Sequence, residues 1–336
     1  MHMADALISP AVGGVMWGAA AGGVAWCSRV AGRRLDDRRI PLMGVLGAFV
    51  FAAQMVNFAI PGTGSSGHLG GGLLLAVLLG PHAAFLTISS VLVIQALIFA
   101  DGGLLALGCN IINLGFFPAF IAYPLVYRPL VGDAASGRRI TAASIAAAVV
   151  GLQLGAFAVV LETVASGVAA LPFATFALLM QPVHLAIGLV EGVVTAALLT
   201  FLHSARPELF TGKALPSGVG RRVLAGMLMA ALFAAAGLSW FASSKPDGLE
   251  WSIARATGNS PPPAVEGVHA TLARIQGKLA FLHGYSVPAG NEEKADRAGT
   301  SQAGVVGGGI TLAVVLVAGR LLCRKRKGSG KRYGTV

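Results

Sequence analysis

Long apolar runs separated by short charged segments dominate the chain. Several runs exceed about 18 residues, the length at which an apolar helix crosses a bilayer. We predict nine membrane-spanning helices, at roughly residues 11–28, 41–60, 69–80, 83–100, 103–127, 140–165, 172–203, 222–242 and 304–322. The third run is short for a bilayer about 30 Å thick and is followed by Pro81, so a re-entrant segment is the alternative there.

The composition excludes a water-soluble globular protein. Of the 336 residues, 55% are hydrophobic and only 12% are charged, whereas about a quarter of the residues in soluble domains are charged. The apolar runs are continuous rather than alternating, which predicts helices and not a transmembrane β-barrel. The expected fold class is an all-α membrane protein.

The distribution of charge predicts the orientation. A net charge of +11 would suggest nucleic-acid binding in a soluble protein. Here, if the N-terminus is outside and all nine helices cross, most of the 25 Lys and Arg residues lie on the inner side, as the positive-inside rule requires. We therefore expect an outer N-terminus, a cytoplasmic C-terminus, a bacterial plasma (inner) membrane location, contact with membrane lipid and no nucleic-acid partner.

The first residues form a candidate metal chelate. Met1 is expected to be retained, because the initiator methionine is normally removed only before a small residue and His2 is not small. The terminal amine, the amide nitrogen of residue 2 and the His2 imidazole can then close a five-membered and a six-membered ring on one ion. Three nitrogens in a plane suit Ni²⁺ or Cu²⁺ better than tetrahedral Zn²⁺.

A fourth ligand is available from His68, which ends the Gly-rich loop Pro61 to His68 on the same outer side. Ser65 and Ser66 precede it in the loop and are candidates for positioning it. The alternative is that a histidine at position 2 is chance and that His68 is only solvated. The other outer histidines, His269 and His283, are expected to be exposed.

Ionisable residues inside the predicted helices are costly and therefore candidates for function. These are Glu162, His184 and Glu191, of which the last two lie seven residues apart on one helix face. A buried structural pair that docks the helices is one interpretation, and a direct role in transport is the other. Hydrogen bonds between helices, some of them fixing the metal loop, are expected from Gln54, Asn57, Gln95, Asn110, Asn113 and Gln153.

The sequence shows no sign of enzymatic chemistry. It contains no GxxxxGK[ST] phosphate-binding motif and suggests no nucleophile–base pair, so ATP hydrolysis is expected on a separate chain. The three cysteines, at positions 27, 109 and 323, are far apart and support neither a disulfide framework nor a thiolate metal site.

These residues resemble a known family, the metal-specific substrate-binding components of energy-coupling factor transporters, called CbiM for cobalt and NikM for nickel. The resemblance covers about residues 1–204 and rests on Met1-His2-Met3, the loop ending at His68, Gly70-Gly71-Gly72-Leu73 and the stretch Gln95 to Tyr123. It implies a seven-helix domain in which the N-terminal strip binds the ion through Met1, His2 and His68. The family loop usually reads Ser-Ser-His, so the extra Gly67 here is expected to loosen it.

The C-terminal part resembles the accessory component NikN, through Lys245-Pro246-Asp247-Gly248-Leu249-Glu250-Trp251. The chain thus resembles a fused NikM and NikN protein. Its expected parts are a metal-binding domain (1–204), a basic cytoplasmic linker (205–221), a two-helix accessory domain (222–322) and a basic cytoplasmic tail (323–336). The polar outer loop within the accessory domain, residues 243–303, is called the loop module below.

The resemblance implies a metal-capture subunit that works with a transmembrane coupling (T) component and a cytoplasmic ABC-type ATPase. Ni²⁺ is the expected transported ion, because planar nitrogen chelation suits it and the accessory type is associated mainly with nickel. The alternatives are Co²⁺ supplied to cobalamin biosynthesis, or a stand-alone metal permease. A permease would be expected to show inverted repeats or a continuous polar path, and neither is apparent.

Overall fold

Helices make up most of the structure, a computed structural model that describes residues 2–34, 39–133, 135–169, 171–207, 210, 219–258, 267–285 and 292–329. In chain order the elements are α1 (Pro10–Arg34), α2 (Ile40–Gln54), β1 (Phe58–Ala59), β2 (Ser66–Gly67), α3 (Gly72–Leu79), α4 (Pro81–Ile94), α5 (Leu107–Ile111), α6 (Arg128–Val131), α7 (Gly137–Ser166), α8 (Phe173–Ala205), α9 (Val219–Ala236), α10 (Gly248–Thr257), α11 (Val268–Leu279) and α12 (Glu292–Ser329). The predicted ligand Met1, most of the linker 205–221 and the end of the tail 323–336 lie outside the described residues.

The chain also contains π-helical and 3₁₀-helical segments. A π-helical turn, Gln95–Phe99, extends α4, and a long π-helical segment, Ile112–Tyr127, joins α5 to α6. Pro118 and Pro124 lie inside the second segment, where each removes a backbone donor. Short 3₁₀ turns are found at Asp5–Leu7, Leu238–Phe241 and His283–Tyr285.

Six helical segments of the described chain are long and apolar enough to cross a membrane. They are Pro81–Phe99, Leu107–Val131, Gly137–Ser166, Phe173–Ala205, Arg222–Phe241 and Gly299–Cys323. They match the last six predicted spans to within a few residues. The protein is therefore a multi-pass membrane protein with a mostly helical fold.

The first three predicted spans differ from these six. Helix α1 has 25 residues but is less apolar than the six spans, because many of its residues are glycine or alanine. Helix α2 ends at Gln54, so the prediction of one helix over 41–60 was wrong. Helix α3 has 8 residues, which span about 12 Å and cannot cross a bilayer about 30 Å thick.

Two glycines explain why residues 69–80 do not form the single helix that was predicted there. Gly71 precedes the helix with φ of +74°, and a Cβ there would lie 2.6 Å from Val50 Cγ1. Gly80 ends it with φ of +80°. Both backbone conformations are unfavourable for residues with a Cβ, so the apolar run at 69–80 is broken into a loop and a short helix.

Close helix packing joins the two ends of the chain. Helices α7 and α8 pack together through Gly188 and Gly192, where a Cβ would lie 3.0 Å from Val149 Cα and 2.5 Å from Ile145 Cα. Helix α12 packs against α2 and α9. Such small-residue contacts are typical of helices in membranes, and they bring the loop module to the end of the bundle that carries the N-terminus.

Candidate metal-capture site

The N-terminal strip, which comprises the residues that precede α1, is inserted between helices rather than lying in solvent. Met3 is 0% exposed. Its N–H donates to Asn110 Oδ1 at 2.8 Å, and its carbonyl accepts from the N–H of Gly103 at 2.8 Å. Asp5 Oδ1 accepts from the N–H of Ala106 at 3.0 Å. These contacts fix the register of the strip, and with it the position of residue 2.

The His2 side chain is oriented by Gln95, which begins the π-helical turn after α4. His2 Nε2 lies 3.2 Å from Gln95 Oε1. An amide oxygen only accepts, so Nε2 carries the proton and the lone pair of the neutral ring lies on Nδ1. Nδ1 lies 3.5 Å from Asp101 Oδ1. Nδ1 is also the atom that would close the six-membered chelate ring, so Gln95 sets the tautomer that chelation requires.

His68 faces His2 directly. The two rings stack with their centroids 5.0 Å apart and their planes at 26°. His68 Nδ1 lies 3.1 Å from the carbonyl oxygen of Leu69 and therefore donates to it, which leaves the lone pair of the neutral ring on Nε2. The predicted ligands His2 and His68, separated by 66 positions in the sequence, are thus brought into contact.

A small β-ribbon holds the loop that presents His68. Strands β1 and β2 pair antiparallel, with Phe58 opposite Gly67. Gly67 is buried, and a Cβ there would lie 2.5 Å from Ile187 Cγ1 on α8. The expectation that Gly67 loosens the loop was wrong, because the missing side chain allows the loop to pack closely against α8.

The loop module contacts this same loop. The N–H of Ser66 donates to the carbonyl of Pro246 at 2.8 Å, and Ser66 Oγ donates to the carbonyl of Lys245 at 2.7 Å. Ser66 also forms a parallel bridge with Asp247. Ser66 therefore joins the His68 loop to the loop module.

The motif that follows has a local structural role. Asp247 Oδ1 accepts from the N–H of Glu250 at 2.8 Å, and Glu250 Oε2 accepts from the N–H of Asp247 at 3.2 Å. This reciprocal pair is a capping box that starts α10. Burial by itself raises the pKa of the Asp247 carboxyl, but the hydrogen bond from Glu250 is among the interactions that leave it below its usual value. The carboxylate is therefore ionised at neutral pH.

Three further contacts hold the loop module against the N-terminal strip and against the loop that precedes α5. His269 Nε2 donates to the carbonyl of Ile8 at 2.7 Å, and Gln276 Nε2 donates to the carbonyl of Gly102 at 2.7 Å. Tyr285 Oη donates to Asp101 Oδ2 at 2.6 Å. His283 is exposed as expected, but the expectation for His269 was wrong, because it is partly buried against the strip.

A cavity of about 650 Å³ lies between the strip, the His68 loop and the loop module. His2 and His68 line it with four carboxylates, Asp5, Asp101, Asp247 and Glu250. Burial lowers the pKa of His68 to about 3 and lowers that of His2 below its usual value. Both imidazoles are therefore neutral at pH 7, the protonation state in which histidine binds metals.

The remaining predicted loop residues support the loop. The carbonyl of Asn57 accepts from the N–H of Ser243 in the loop module at 2.8 Å. Ser65 Oγ lies 2.8 Å from Thr63 Oγ1. Among the described residues, no three His, Cys, Asp or Glu side chains are arranged to hold a metal ion. A chelate with backbone and terminal nitrogens, as predicted from the sequence, does not require such a cluster.

The three ionisable residues within the helices have different partners. Glu162 Oε2 accepts from Asn113 Nδ2 at 2.8 Å. His184 Nδ1 donates to the carbonyl of Met180 at 2.8 Å. Glu191 accepts from the N–H groups of Gly70 and Gly71 at 2.7 and 3.0 Å. Glu191 thus holds the backbone that follows His68, and it does so from α8.

Replacement of Glu191 is expected to destabilise the protein. Glu191→Ala leaves two buried amide groups without their acceptor, at about 1–3 kcal/mol for each unsatisfied group. The apparent melting temperature in detergent should fall clearly below that of the wild type. Glu191→Gln keeps one side-chain oxygen as an acceptor and should fall less. Equal melting temperatures for Glu191→Ala and the wild type would show that these hydrogen bonds do not stabilise the fold.

Two family models match the chain. Residues 2–209 match CbiM, described as the cobalt uptake substrate-specific transmembrane region, and residues 221–324 match the PDGLE domain. The putative fused nickel transport protein NikMN of Archaeoglobus fulgidus is 33% identical over 85% of this chain and 86% of its own. The fused nickel transport protein NikMN of Rhodobacter capsulatus is 31% identical over 82% and 86%.

The fold of part of the chain is also seen in a solved structure. The crystal structure of a truncated transition metal transporter shares 29% sequence identity with a TM-score of 0.54, covering 61% of this chain and 99% of that one. The relatives are named as transport proteins rather than enzymes. The chain therefore belongs to the CbiM family as a nickel or cobalt transport component in which a PDGLE domain follows the metal-specific domain.

Proposed function

We propose that this chain is the metal-capture subunit of an ATP-driven energy-coupling factor uptake transporter and that it binds Ni²⁺ at an outward-facing site. The ligands are the Met1 amine, the amide nitrogen and Nδ1 of His2, and Nε2 of His68. The observation that carries the proposal is the stacking of His2 on His68, with the tautomer of each ring set by a hydrogen bond on its other nitrogen.

The charge around the rings supports a divalent cation. Four carboxylates line the same cavity against one lysine, Lys245. A carboxylate near a cation-binding site favours the bound ion electrostatically. Four nitrogen donors in one plane match Ni²⁺. Co²⁺ is the second candidate because the matching family model is described by cobalt uptake.

The energy source is proposed to lie on other chains. A T component and a cytoplasmic ABC-type ATPase would supply it, because the sequence contains no phosphate-binding loop. A stand-alone permease would instead accumulate nickel without ATP. Proteoliposomes that contain this chain alone, compared with those that also contain its coupling partners and ATP, separate the two possibilities.

Competition between Ni²⁺ and Co²⁺ on the purified chain tests the site itself. Ni²⁺ should bind more tightly, because it displaces an amide proton near neutral pH more readily. The bound complex should be yellow and diamagnetic, as expected for a planar site. An octahedral spectrum, or tighter binding of Co²⁺, would contradict the nickel chelate and favour the cobalt alternative.

The pH dependence of that affinity provides a second criterion. Because the pKa values of His2 and His68 are lowered, protons do not compete at the imidazoles near neutrality. Binding of Ni²⁺ displaces one proton from the amide at any pH. At pH values below the ordinary amine pKa of about 8, binding also displaces one proton from the amine. Ni²⁺ affinity should therefore fall about 100-fold per pH unit between pH 7 and 6. A tenfold fall in Ni²⁺ affinity per pH unit would mean that the amide keeps its proton.

A further inference from the structure

Asp101 lies next to the chelating nitrogen of His2. Asp101 Oδ1 is 3.5 Å from His2 Nδ1, the nitrogen that carries the lone pair when Nε2 donates to Gln95. A carboxylate also only accepts hydrogen bonds. Two acceptors therefore lie side by side with no proton between them. Such a pair is unfavourable in the metal-free protein, and a cation bound at Nδ1 makes it favourable.

The backbone fixes the position of Asp101. The N–H of Asp101 donates to the carbonyl of Gln95 at 3.1 Å. Gln95 thus orients His2 through its side chain and holds Asp101 through its backbone. Ala100, which precedes Asp101, has a φ of +53°, which is unfavourable for a residue with a Cβ. Strained backbone of this kind clusters at ligand-binding sites, where the surrounding structure maintains it.

Tyr285 of the loop module holds the other oxygen of the same carboxylate. Its Oη donates to Asp101 Oδ2 at 2.6 Å. The Tyr285 ring stacks on Phe99, with the centroids 4.7 Å apart and the planes at 17°, so the ring has a fixed place without its hydroxyl. In the described part of the chain, the non-glycine residues with positive φ are Ala100 and Tyr285. Both strained positions therefore belong to this one contact.

The other carboxylates of the cavity have roles in the backbone structure. Asp5 accepts from the N–H of Ala106, and Asp247 and Glu250 form the capping box of α10. The side chain of Asp101 instead contacts His2 and Tyr285. Asp101 is therefore the carboxylate best placed to act on an ion held by His2.

The charge of the proposed complex requires such a carboxylate. Ni²⁺ contributes +2 and the amide that has lost its proton contributes −1, so the complex with three further neutral nitrogens carries +1. The His2 side chain is only 6% exposed and His68 is 9% exposed. An uncompensated charge is costly in such surroundings. One carboxylate beside the complex makes the whole assembly neutral.

We propose that Asp101 supplies the counter-charge of the captured ion and that Tyr285 of the loop module positions Asp101 for this role. The proposal rests on the proposed function, because it needs an ion bound at His2 and His68. Asp101 replaces none of the four nitrogen ligands and acts through its charge. When Ni²⁺ binds, the amide proton leaves to solvent and the carboxylate balances the positive charge that remains. The loop module thereby raises the metal affinity without supplying a ligand.

The test compares variants of the full chain, purified in detergent. Asp101→Asn removes the charge and nearly keeps the shape, since its amide oxygen can accept from Tyr285 and its Nδ2 can donate to His2 Nδ1. Tyr285→Phe removes the hydroxyl and keeps the ring on Phe99. Asp133→Asn is the matched control, because it removes the same charge from an exposed position between α6 and α7. Calorimetry gives the Ni²⁺ affinity, and thermal unfolding gives the melting temperature of the metal-free protein.

We expect Asp101→Asn to lose about 10- to 100-fold in Ni²⁺ affinity and Tyr285→Phe to lose about tenfold, as is typical for residues that support a metal site. Asp133→Asn should bind as the wild type does. Because Tyr285 acts through Asp101, the double variant should bind no more weakly than Asp101→Asn alone. The metal-free melting temperature of Asp101→Asn should equal or exceed that of the wild type, because a donor replaces one of the two adjacent acceptors. Loss of a merely structural residue would lower it.

Wild-type Ni²⁺ affinity in Asp101→Asn would overturn the proposal, and so would a clear fall in the metal-free melting temperature of this variant. Losses that multiply in the double variant would also overturn it, since Tyr285 would then not act through Asp101. If Asp101→Asn yields no folded protein, Tyr285→Phe decides, and wild-type affinity in that variant would overturn the proposal. Absence of tight Ni²⁺ binding in the wild type would instead refute the proposed function.

Discussion

An N-terminal extension that stays attached to Met1 should abolish Ni²⁺ binding. It converts the terminal amine into an amide and so removes one of the four proposed ligands. The strip cannot compensate by sliding, because Met3 is buried and both of its backbone groups are hydrogen-bonded, to Asn110 and Gly103. The affinity should fall by more than the roughly 10- to 100-fold that is typical for loss of a residue that only supports a ligand.

The measurement is the Ni²⁺ content of the purified protein after dialysis, with the intact extension verified by mass spectrometry. The same tag placed at the C-terminus is the control and should leave one nickel ion per chain. Stoichiometric nickel in a protein whose extension is shown to be uncleaved would mean that the amine is not a ligand, and the chelate would have to be abandoned.

His2→Ala and His68→Ala should each eliminate tight binding, because each removes an imidazole from a set of four donors. The two variants should remain folded, since these rings lie in a loop and a terminal strip and not on a helix face. His283→Ala is the control, because His283 lies in the loop module and its side chain is exposed. It should bind nickel as the wild type does.

The outcome of this comparison distinguishes two locations for the site. Loss in His2→Ala and His68→Ala, with normal binding in His283→Ala, supports the proposed chelate. An intermediate loss in His269→Ala would follow from its contact with the strip at Ile8. Equal losses in all four variants would move the site into the loop module.

The long helices could be predicted because each is specified by its own residues. The runs that became α7 and α8 are apolar over at least one bilayer thickness, and no contact elsewhere is needed to make them helical. Residues 55–80 could not be predicted in the same way. There, Gly71 and Gly80 adopt positive φ, and hydropathy does not distinguish a glycine in a turn from one in a helix.

The residues of the candidate site also fall into two groups, those that could be predicted from the sequence and those that could not. His2 and His68 could be predicted because the chelate depends on residues adjacent in sequence and on a short loop. Asp101, Asp247 and Tyr285 were not predicted as parts of the site, since each is distant in sequence from both His2 and His68. The Asp-Gly-Leu-Glu segment did carry a signal, because its first and last residues form a capping box. That pattern predicts where α10 starts but not where α10 docks.

The contact between Gln276 and Gly102 spans 174 residues, and this separation sets an order of events during synthesis. At about 5–20 residues per second, Gln276 is added roughly 10 to 35 s after Gly102. During that interval the strip and the His68 loop have already been made, while the segment that covers them has not. A nascent chain therefore passes through a stage with an open site, and its final closure waits for the last third of translation.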